Sequence, residues 1–418
     1  MDRIEIMAPA GAFDSLSAAL RAGADSIYFG VGKLNMRARA TANFTVRDLP
    51  GILRRCRAAG ARAYLTVNTI IYDEELAEMR QLCDAAKAAG VDAVIASDLA
   101  VIRYAHSIGL EVHLSVQANI CNLEAVRFYA AYADVMVLAR ELTLPQIKSI
   151  ADAVRREPIT GPAGEPVRLE VFAHGALCVA VSGKCEMSLA VYNSSANRGA
   201  CFQNCRRSYR VTDAESGDEL LIDNQYVMSP KDLCTIGVLD RILESGISVL
   251  KLEGRGRSAD YVDAVTSCYR EAVEACRDGS FGPEKIDGWL ERLLDVFNRG
   301  FWHGGYYLGE KLGEWTGSGN SQARLRKIHV GRVSHYFPQL KVAELSVEAV
   351  NLEKGREIMV TGPTTGAIRF FADELRVGGQ SVQVAEKPVL ASVPVPVKVR
   401  PNDQVYLLET RKFGEVSP

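Results

Sequence analysis

Histidine and tryptophan are scarce in this chain, with six and three copies in 418 residues, and neither an HExxH nor a GxSxG run occurs. The first absence removes the zinc-peptidase helix and the second removes the nucleophile elbow of serine hydrolases. No apolar run approaches the roughly 20 residues that a membrane-spanning helix needs. The opening MDRIEIMAPAG lacks the basic-then-apolar layout of a secretory signal, so a cytoplasmic protein without a membrane partner is expected. Charge of one sign is lacking too. The formal net charge is −2, which gives no global mark of polyanion binding. From Arg324 onward, however, 14 Lys and Arg face 10 Asp and Glu, so the C-terminal part is mildly basic.

What is present is an ordinary globular composition, 48% hydrophobic and 24% charged, in a length that favours two domains. Short β-branched runs alternate with helical patterns up to about residue 279. The runs are IEIMAP from Ile4, SIYFG from Ser26, RAYLTVN from Arg62, AVIAS from Ala93, EVHLSV from Glu111, DVMVLA from Asp134, LEVFAH from Leu169 and SVLKLEG from Ser248. Eight such βα units predict a (β/α)8 TIM barrel rather than an open doubly wound sheet. Residues 1–290 are assigned to the barrel, with a cysteine-rich insertion at 175–234 after strand 7 and a helix following Ser229. Residues 291–325 are a transition, and 326–418 alternate in short runs that predict a small C-terminal β-barrel module.

Ten cysteines without an export signal do not suggest a disulfide framework. Cys56, Cys83, Cys121, Cys268 and Cys276 stand apart and read as small buried side chains. The other five crowd into 57 residues with the spacing C-x6-C-x15-C-x3-C-x28-C, from Cys178 through Cys185, Cys201 and Cys205 to Cys234. Four thiolates drawn from one loop suit zinc or an iron-sulfur cluster, and the wide spacing suits the cluster better than a ribbon of two close pairs.

In a TIM barrel the catalytic groups sit at the C-terminal strand ends. The polar candidates there are Asn68, Asp98, Ser115, Gln117, Asn119, Arg140, Glu141, His174, Glu253 and Arg255. Arg140 and Arg255 carry planar forks suited to a dicarboxylate, with Glu141 and Glu253 as the obvious partners that would simply neutralise them. His174 precedes the cysteine loop and could move a proton. Arg198 and Arg206 stand beside the cysteines, where thiolates or RNA phosphates would both explain them.

The run Glu170 to Ser188, with Phe-x2-Gly-x2-Cys-x6-Cys-x2-Ser, resembles the signature of the U-32 peptidase family, also called collagenase-like. The resemblance continues through MAPAGAFDSLSAALRAGADSIYFG, TVNTIIYDEE, HLSVQANICN, LARELTL, SPKDLC, LKLEGRGRSADYV and FNRGF. It implies an oxygen-independent hydroxylase holding a 4Fe-4S cluster on Cys178, Cys185, Cys201 and Cys234, with Cys205 to spare. The two-domain layout looks most like the branch that forms 5-hydroxyuridine at the wobble position of tRNA. That branch implies tRNA as partner, prephenate as hydroxyl source and an electron-transfer protein. A peptidase, or a hydroxylase of another aromatic or RNA substrate, is the alternative. Under the hydroxylase reading, catalytic roles fall to Arg140, Glu141, His174, Glu253 and Arg255. Substrate contacts fall to Asn68, Asp98, Ser115, Gln117, Asn119, Arg198 and Arg206. The basic C-terminal module is expected to bind RNA as a part separable from the barrel.

Overall fold

A computed structural model describes residues 3–39, 43–207, 209–220, 228–310, 315–317 and 320–411. Eight parallel strands run through the first domain. They are β1 (Glu5–Ala10), β2 (Ser26–Gly30), β3 (Arg62–Val67), β4 (Ala93–Ala96), β5 (Glu111–Leu114), β6 (Val135–Val137), β7 (Arg168–Gly175) and β8 (Val249–Leu252). Each pairs with the next in register, and β8 pairs with both β7 and β1, so the sheet closes on itself. The strands are buried along nearly their whole length, which is why they read as apolar runs rather than alternating ones.

Helices α1 (Phe13–Arg21), α2 (Leu49–Ala58), α3 (Leu76–Ala89), α4 (Leu99–Ser107), α5 (Leu123–Ala130), α6 (Leu144–Arg156), α7 (Leu239–Glu244) and α8 (Ala259–Asp278) form the outer layer. Their apolar stripes face the strands, as in α6, where Leu144, Ile147, Ile150, Ala151 and Val154 are all buried. Gly90 ends α3 in the left-handed region at φ +82°, a position any other residue would strain.

The helix expected after Ser229 starts only at Leu239. Asp232–Cys234 forms a short strand instead, antiparallel to the end of β7, and Phe301–His303 adds alongside it. Trp302 is fully buried there, so part of the 291–325 transition packs onto the barrel. Among the isolated cysteines Cys56, Cys83 and Cys268 are buried, but Cys121 is exposed and Cys276 half-buried.

The C-terminal module is an antiparallel sheet of β9 (Leu325–Phe337), β10 (Val342–Val347), β11 (Glu357–Gly362), β12 (Gly366–Phe371), β13 (Val389–Pro394) and β14 (Gln404–Thr410), with shorter strands at one edge. Its core includes Val330, Leu345, Ile358, Val360 and Val405. A second apolar contact joins the domains, in which Met359, Ala367 and Leu408 pack on Ala18 of α1 and Ala259 of α8. Ser17 Oγ donates to the Pro363 carbonyl at 2.7 Å, and Lys327 pairs with Asp260 at 2.8 Å. The module is therefore docked on the barrel rather than held only by a linker.

Candidate functional site

At the C-terminal mouth of the barrel lies a cavity of about 230 Å³, walled by the ends of β2, β3, β5, β6 and β8 and closed over by the cysteine insertion. Cys178, Cys185, Cys201 and Cys205 all line it. The Cys205 thiol is pushed up to about 11 by burial. Arg206 pulls the other way, and the neighbouring thiols of Cys178, Cys201 and Cys185 push it further up, so the four share one electrostatic environment.

Cys234 is not among them. It sits on the short strand opposite His174, fully buried, and its thiol bonds to Tyr269 of α8. Burial pushes that thiol up to about 12. The expected set of Cys178, Cys185, Cys201 and Cys234 is thus not what the fold brings to one cavity, because pairing with β7 turns Cys234 toward the helical layer. Cys205 takes the fourth place in the cavity wall.

Among the described residues no three His, Cys, Asp or Glu side chains converge on a single point where one metal ion would sit. Thiols are the donor type that zinc and an iron-sulfur cluster both take, so four of them round one cavity suit either group.

The rest of the wall is cationic. Arg37, Arg140, Arg206, Lys251, Arg255, Arg257 and Arg299 line the cavity against Glu253, the single carboxylate among the described residues lining it. Glu253 is bound by Arg37 through Nη2 at 2.7 Å and Nε at 3.1 Å, and lies 3.2 Å from the Tyr28 hydroxyl. Burial alone would raise the Glu253 pKa, but the Arg37 guanidinium overrides it and holds the carboxyl down to about 2.

Arg255 is 5% exposed and donates from Nη1 to Asn35 at 3.0 Å and Thr66 at 2.9 Å, both neutral. Burial lowers its pKa to about 10. Any side chain at Gly30 would collide with that Nη1, which explains glycine at the end of β2. Arg140 lies over the Phe172 ring at 4.0 Å, donates once to the Ala176 carbonyl at 3.3 Å, and keeps a buried Nε without a partner. Among the described residues neither Arg140 nor Arg255 has a carboxylate within salt-bridge distance. The expected neutralising pairs with Glu141 and Glu253 do not form.

Asn68, Ser115 and Gln117 also line the cavity. Asn68 Oδ1 accepts from the Met36 N–H at 3.2 Å, and its Nδ2 reaches Ser115 Oγ at 3.4 Å. Arg206 lines it too, but its donors go to Ser229, Pro230 and Leu177, so it clamps the insertion.

The remaining candidates lie elsewhere. Asp98 caps α4, accepting from the N–H groups of Ala100 at 2.8 Å and Ile71 at 3.1 Å. Asn119 terminates a one-turn helix in the left-handed region at φ 54°. Glu141 is exposed. Arg198 is bound bidentately by Glu75 at 2.8 and 2.9 Å and stacks over Tyr72. His174 is packed against Tyr261, Tyr269 and Phe301, and burial drives its pKa down to about 3. Sequence reasoning missed Arg37, Lys251, Arg257 and Arg299. Lys251 lies at the cavity floor, bound to Glu170 at 2.7 Å.

Comparison with known proteins places the chain among relatives of two kinds. A sequence profile described as Peptidase family U32 matches residues 11–317. A protein of Porphyromonas gingivalis named collagenase is 54% identical over 408 residues, 98% of each chain. An uncharacterized protease of Methanocaldococcus jannaschii is 36% identical, with 98% of this chain and 99% of the relative covered. A Bacillus subtilis protein named tRNA hydroxylation protein P1 is 29% identical, covering 96% of this chain and 94% of that one. No helix among the described residues is long and apolar enough to cross a membrane.

Proposed function

The chain belongs to peptidase family U32, and from that premise we propose that it is an iron-sulfur hydroxylase of RNA, forming 5-hydroxyuridine at the wobble uridine of tRNA without O2. The observation that carries this reading is a barrel-mouth cavity lined by four thiols and by no histidine. In the proposal Cys178, Cys185, Cys201 and Cys205 hold a 4Fe-4S cluster. Such a group, when bound, supplies the redox chemistry that an unactivated pyrimidine carbon needs, while the protein orients the reactants.

Arg140 and Arg255 supply the orientation. Each keeps a guanidinium charge without its own carboxylate, so together they receive a dicarboxylate, with prephenate the expected hydroxyl source. Asn68, Ser115 and Gln117 offer amide and hydroxyl groups to a base edge. Ser115 is buried there and Asn68 and Gln117 are half-buried, which strengthens their hydrogen bonds relative to water. An electron-transfer protein completes the redox cycle.

A second reading, peptidase, is favoured by the 54% identical relative named collagenase. A cysteine nucleophile needs a base within hydrogen-bond reach. No histidine lines this cavity, and His174 is enclosed by aromatic rings with its pKa near 3. That arrangement supports the hydroxylase over the peptidase.

The test is mass spectrometry of tRNA nucleosides from a strain lacking the protein. Loss of 5-hydroxyuridine-derived nucleosides is expected, restored by the native gene and not by Arg140→Ala or Arg255→Ala. An unaltered nucleoside profile with changed peptide turnover would overturn the proposal in favour of the peptidase.

A further inference from the structure

The loop after β8, EGRGRS from Glu253 to Ser258, carries two arginines at different depths. Arg255 is buried, Gly256 is exposed, and Arg257 is half-buried in the cavity wall. The second arginine therefore stands at the rim. Its backbone is fixed on both sides. The Arg257 N–H donates to the Gly254 carbonyl at 2.8 Å, and Lys327 of the C-terminal module donates to Ser258 Oγ at 3.1 Å and to Asp260 at 2.8 Å.

The Arg257 guanidinium is positioned too, but its donors are unspent. It lies over the Phe297 ring, 3.6 Å from the centroid, with the Tyr261 centroid at 5.9 Å, and among the described residues it makes no hydrogen bond or ion pair. Arg299 sits over the same ring at 5.1 Å and takes the nearby carboxylate, Asp232, at 3.4 Å. Burial lowers the Arg257 pKa, and the Arg299 charge adds to that against the pull of Tyr261 and Asp232. Two guanidinium groups thus share one ring and one carboxylate, which leaves a net positive charge at this part of the rim.

A guanidinium held on an aromatic ring with its N–H groups unspent suits an oxyanion, because the stacking sets its position and leaves the donor edge for acceptor oxygens. A nucleotide whose base enters a cavity of about 230 Å³ keeps its phosphates at the mouth, where Arg257 stands. A polymer backbone does not reach the buried Arg255, so the two arginines divide the anions between them. We propose that Arg257 binds a phosphate next to the uridine that enters the cavity, and so selects a nucleotide within an RNA chain over a free base. This inference rests on the RNA hydroxylase reading. A carboxylate of the dicarboxylate has the same oxyanion chemistry, and the test separates the two sources.

Binding of a fluorescein-labelled RNA hairpin with one loop uridine to the full-length protein, followed by fluorescence anisotropy, tests it. Arg257→Met keeps an apolar stem on Phe297 and should weaken binding about 10-fold, with the slope of log affinity against log salt lowered by about 0.7. Arg257→Lys keeps the charge and should keep the slope. A second hairpin carries neutral methylphosphonate linkages on both sides of the uridine. These should cost the native protein about 10-fold more affinity than they cost Arg257→Met, because the variant has already lost the contact. Prephenate binding, followed by calorimetry, should be the same in Arg257→Met as in the native protein. Equal losses from the neutral linkages in both proteins, or weakened prephenate binding with RNA binding unchanged, would take Arg257 off the phosphate and leave the hydroxylase reading standing. If the native protein does not bind the unmodified hairpin, both fail.

Discussion

The carboxylate of Glu253 is held by Arg37, 216 residues earlier in the chain, and not by Arg255 two residues away. The pairing leaves the Arg255 charge available to a ligand, and it makes Arg37 the residue on which a buried carboxylate depends. Arg37→Met should lower stability by about 1–3 kcal/mol, because the Arg37 side chain is 32% exposed and the Glu253 carboxyl keeps the weaker attraction of Arg140 and Arg255. Adding Glu253→Gln should recover most of the loss, because an amide needs no counter-charge. The pH dependence has a definite sign. Glu253 titrates near 2 in the folded chain against a usual 4.5, so its contribution is complete above pH 4.5 and is lost as pH falls toward 2. Thermal unfolding of Glu253→Gln should flatten part of that acid limb. Glu5, held near 2 by Arg168 and Arg62 against its own burial, retains the rest.

Much of this was legible in the sequence. Eight β-branched runs gave eight strands, since a strand buried on both faces has no polar alternation to confuse the count. Barrel logic then brought Asn68, Ser115, Gln117, Arg140, Glu253 and Arg255 to one mouth. It failed for Asp98, which is spent on a helix cap, while Arg198, named for its place beside the cysteines, is occupied by Glu75. Proximity to a strand end does not say what local backbone will claim the side chain. Arg37 was illegible because it lies in a loop without periodicity, although the rule that βα loops build the site extends to it. Cys234 was named from the family resemblance alone, and no periodicity in SPKDLC marks the three-residue strand that pairing with β7 forms there.

His174 is neutral at every physiological pH, because burial depresses its pKa to about 3 from 6.5. The unfolded chain takes up a proton below 6.5 that the folded chain refuses. Stability should therefore fall as pH drops from 6.5 toward 3, with a slope of up to about 1.4 kcal/mol per pH unit. Replacing it by Phe should remove that slope in pH-dependent unfolding. The activity profile should show no limb between pH 6 and 7 from this residue, and a limb that vanishes in His174→Phe would return it to the catalytic machinery.

The docking of the C-terminal module predicts a steric test. Gly366, at φ +73°, begins β12 with its Cα so close to α1 that a Cβ would stand 2.8 Å from the Ala18 nitrogen. Gly366→Val meets both backbone strain and that clash, so it should push the module off the barrel. Limited proteolysis is expected to cut near residue 320 in the variant and not in the native protein. Identical digestion patterns would show that the contact of Met359, Ala367 and Leu408 with α1 and α8 tolerates displacement.

The cysteines give the sharpest division between what the chain resembles and what its fold brings together. Family likeness pointed to Cys234 as the fourth ligand, and the cavity wall offers Cys205. A cluster ligand must reach the cavity as a thiolate. Cys205 lies there with Cys178, Cys185 and Cys201, whereas Cys234 is wholly buried and bonded to Tyr269. Under anaerobic reconstitution, Cys178→Ala, Cys185→Ala, Cys201→Ala and Cys205→Ala should each lose most of the bound iron and the broad absorption near 400 nm. Cys234→Ala should keep both and lose stability instead, by about 1–2 kcal/mol, because it leaves a small cavity beneath α8. Iron retained in Cys205→Ala and lost in Cys234→Ala would mean that the strand Asp232–Cys234 turns over when the cluster binds. Retention of iron in all five variants would remove the cluster from this cavity altogether.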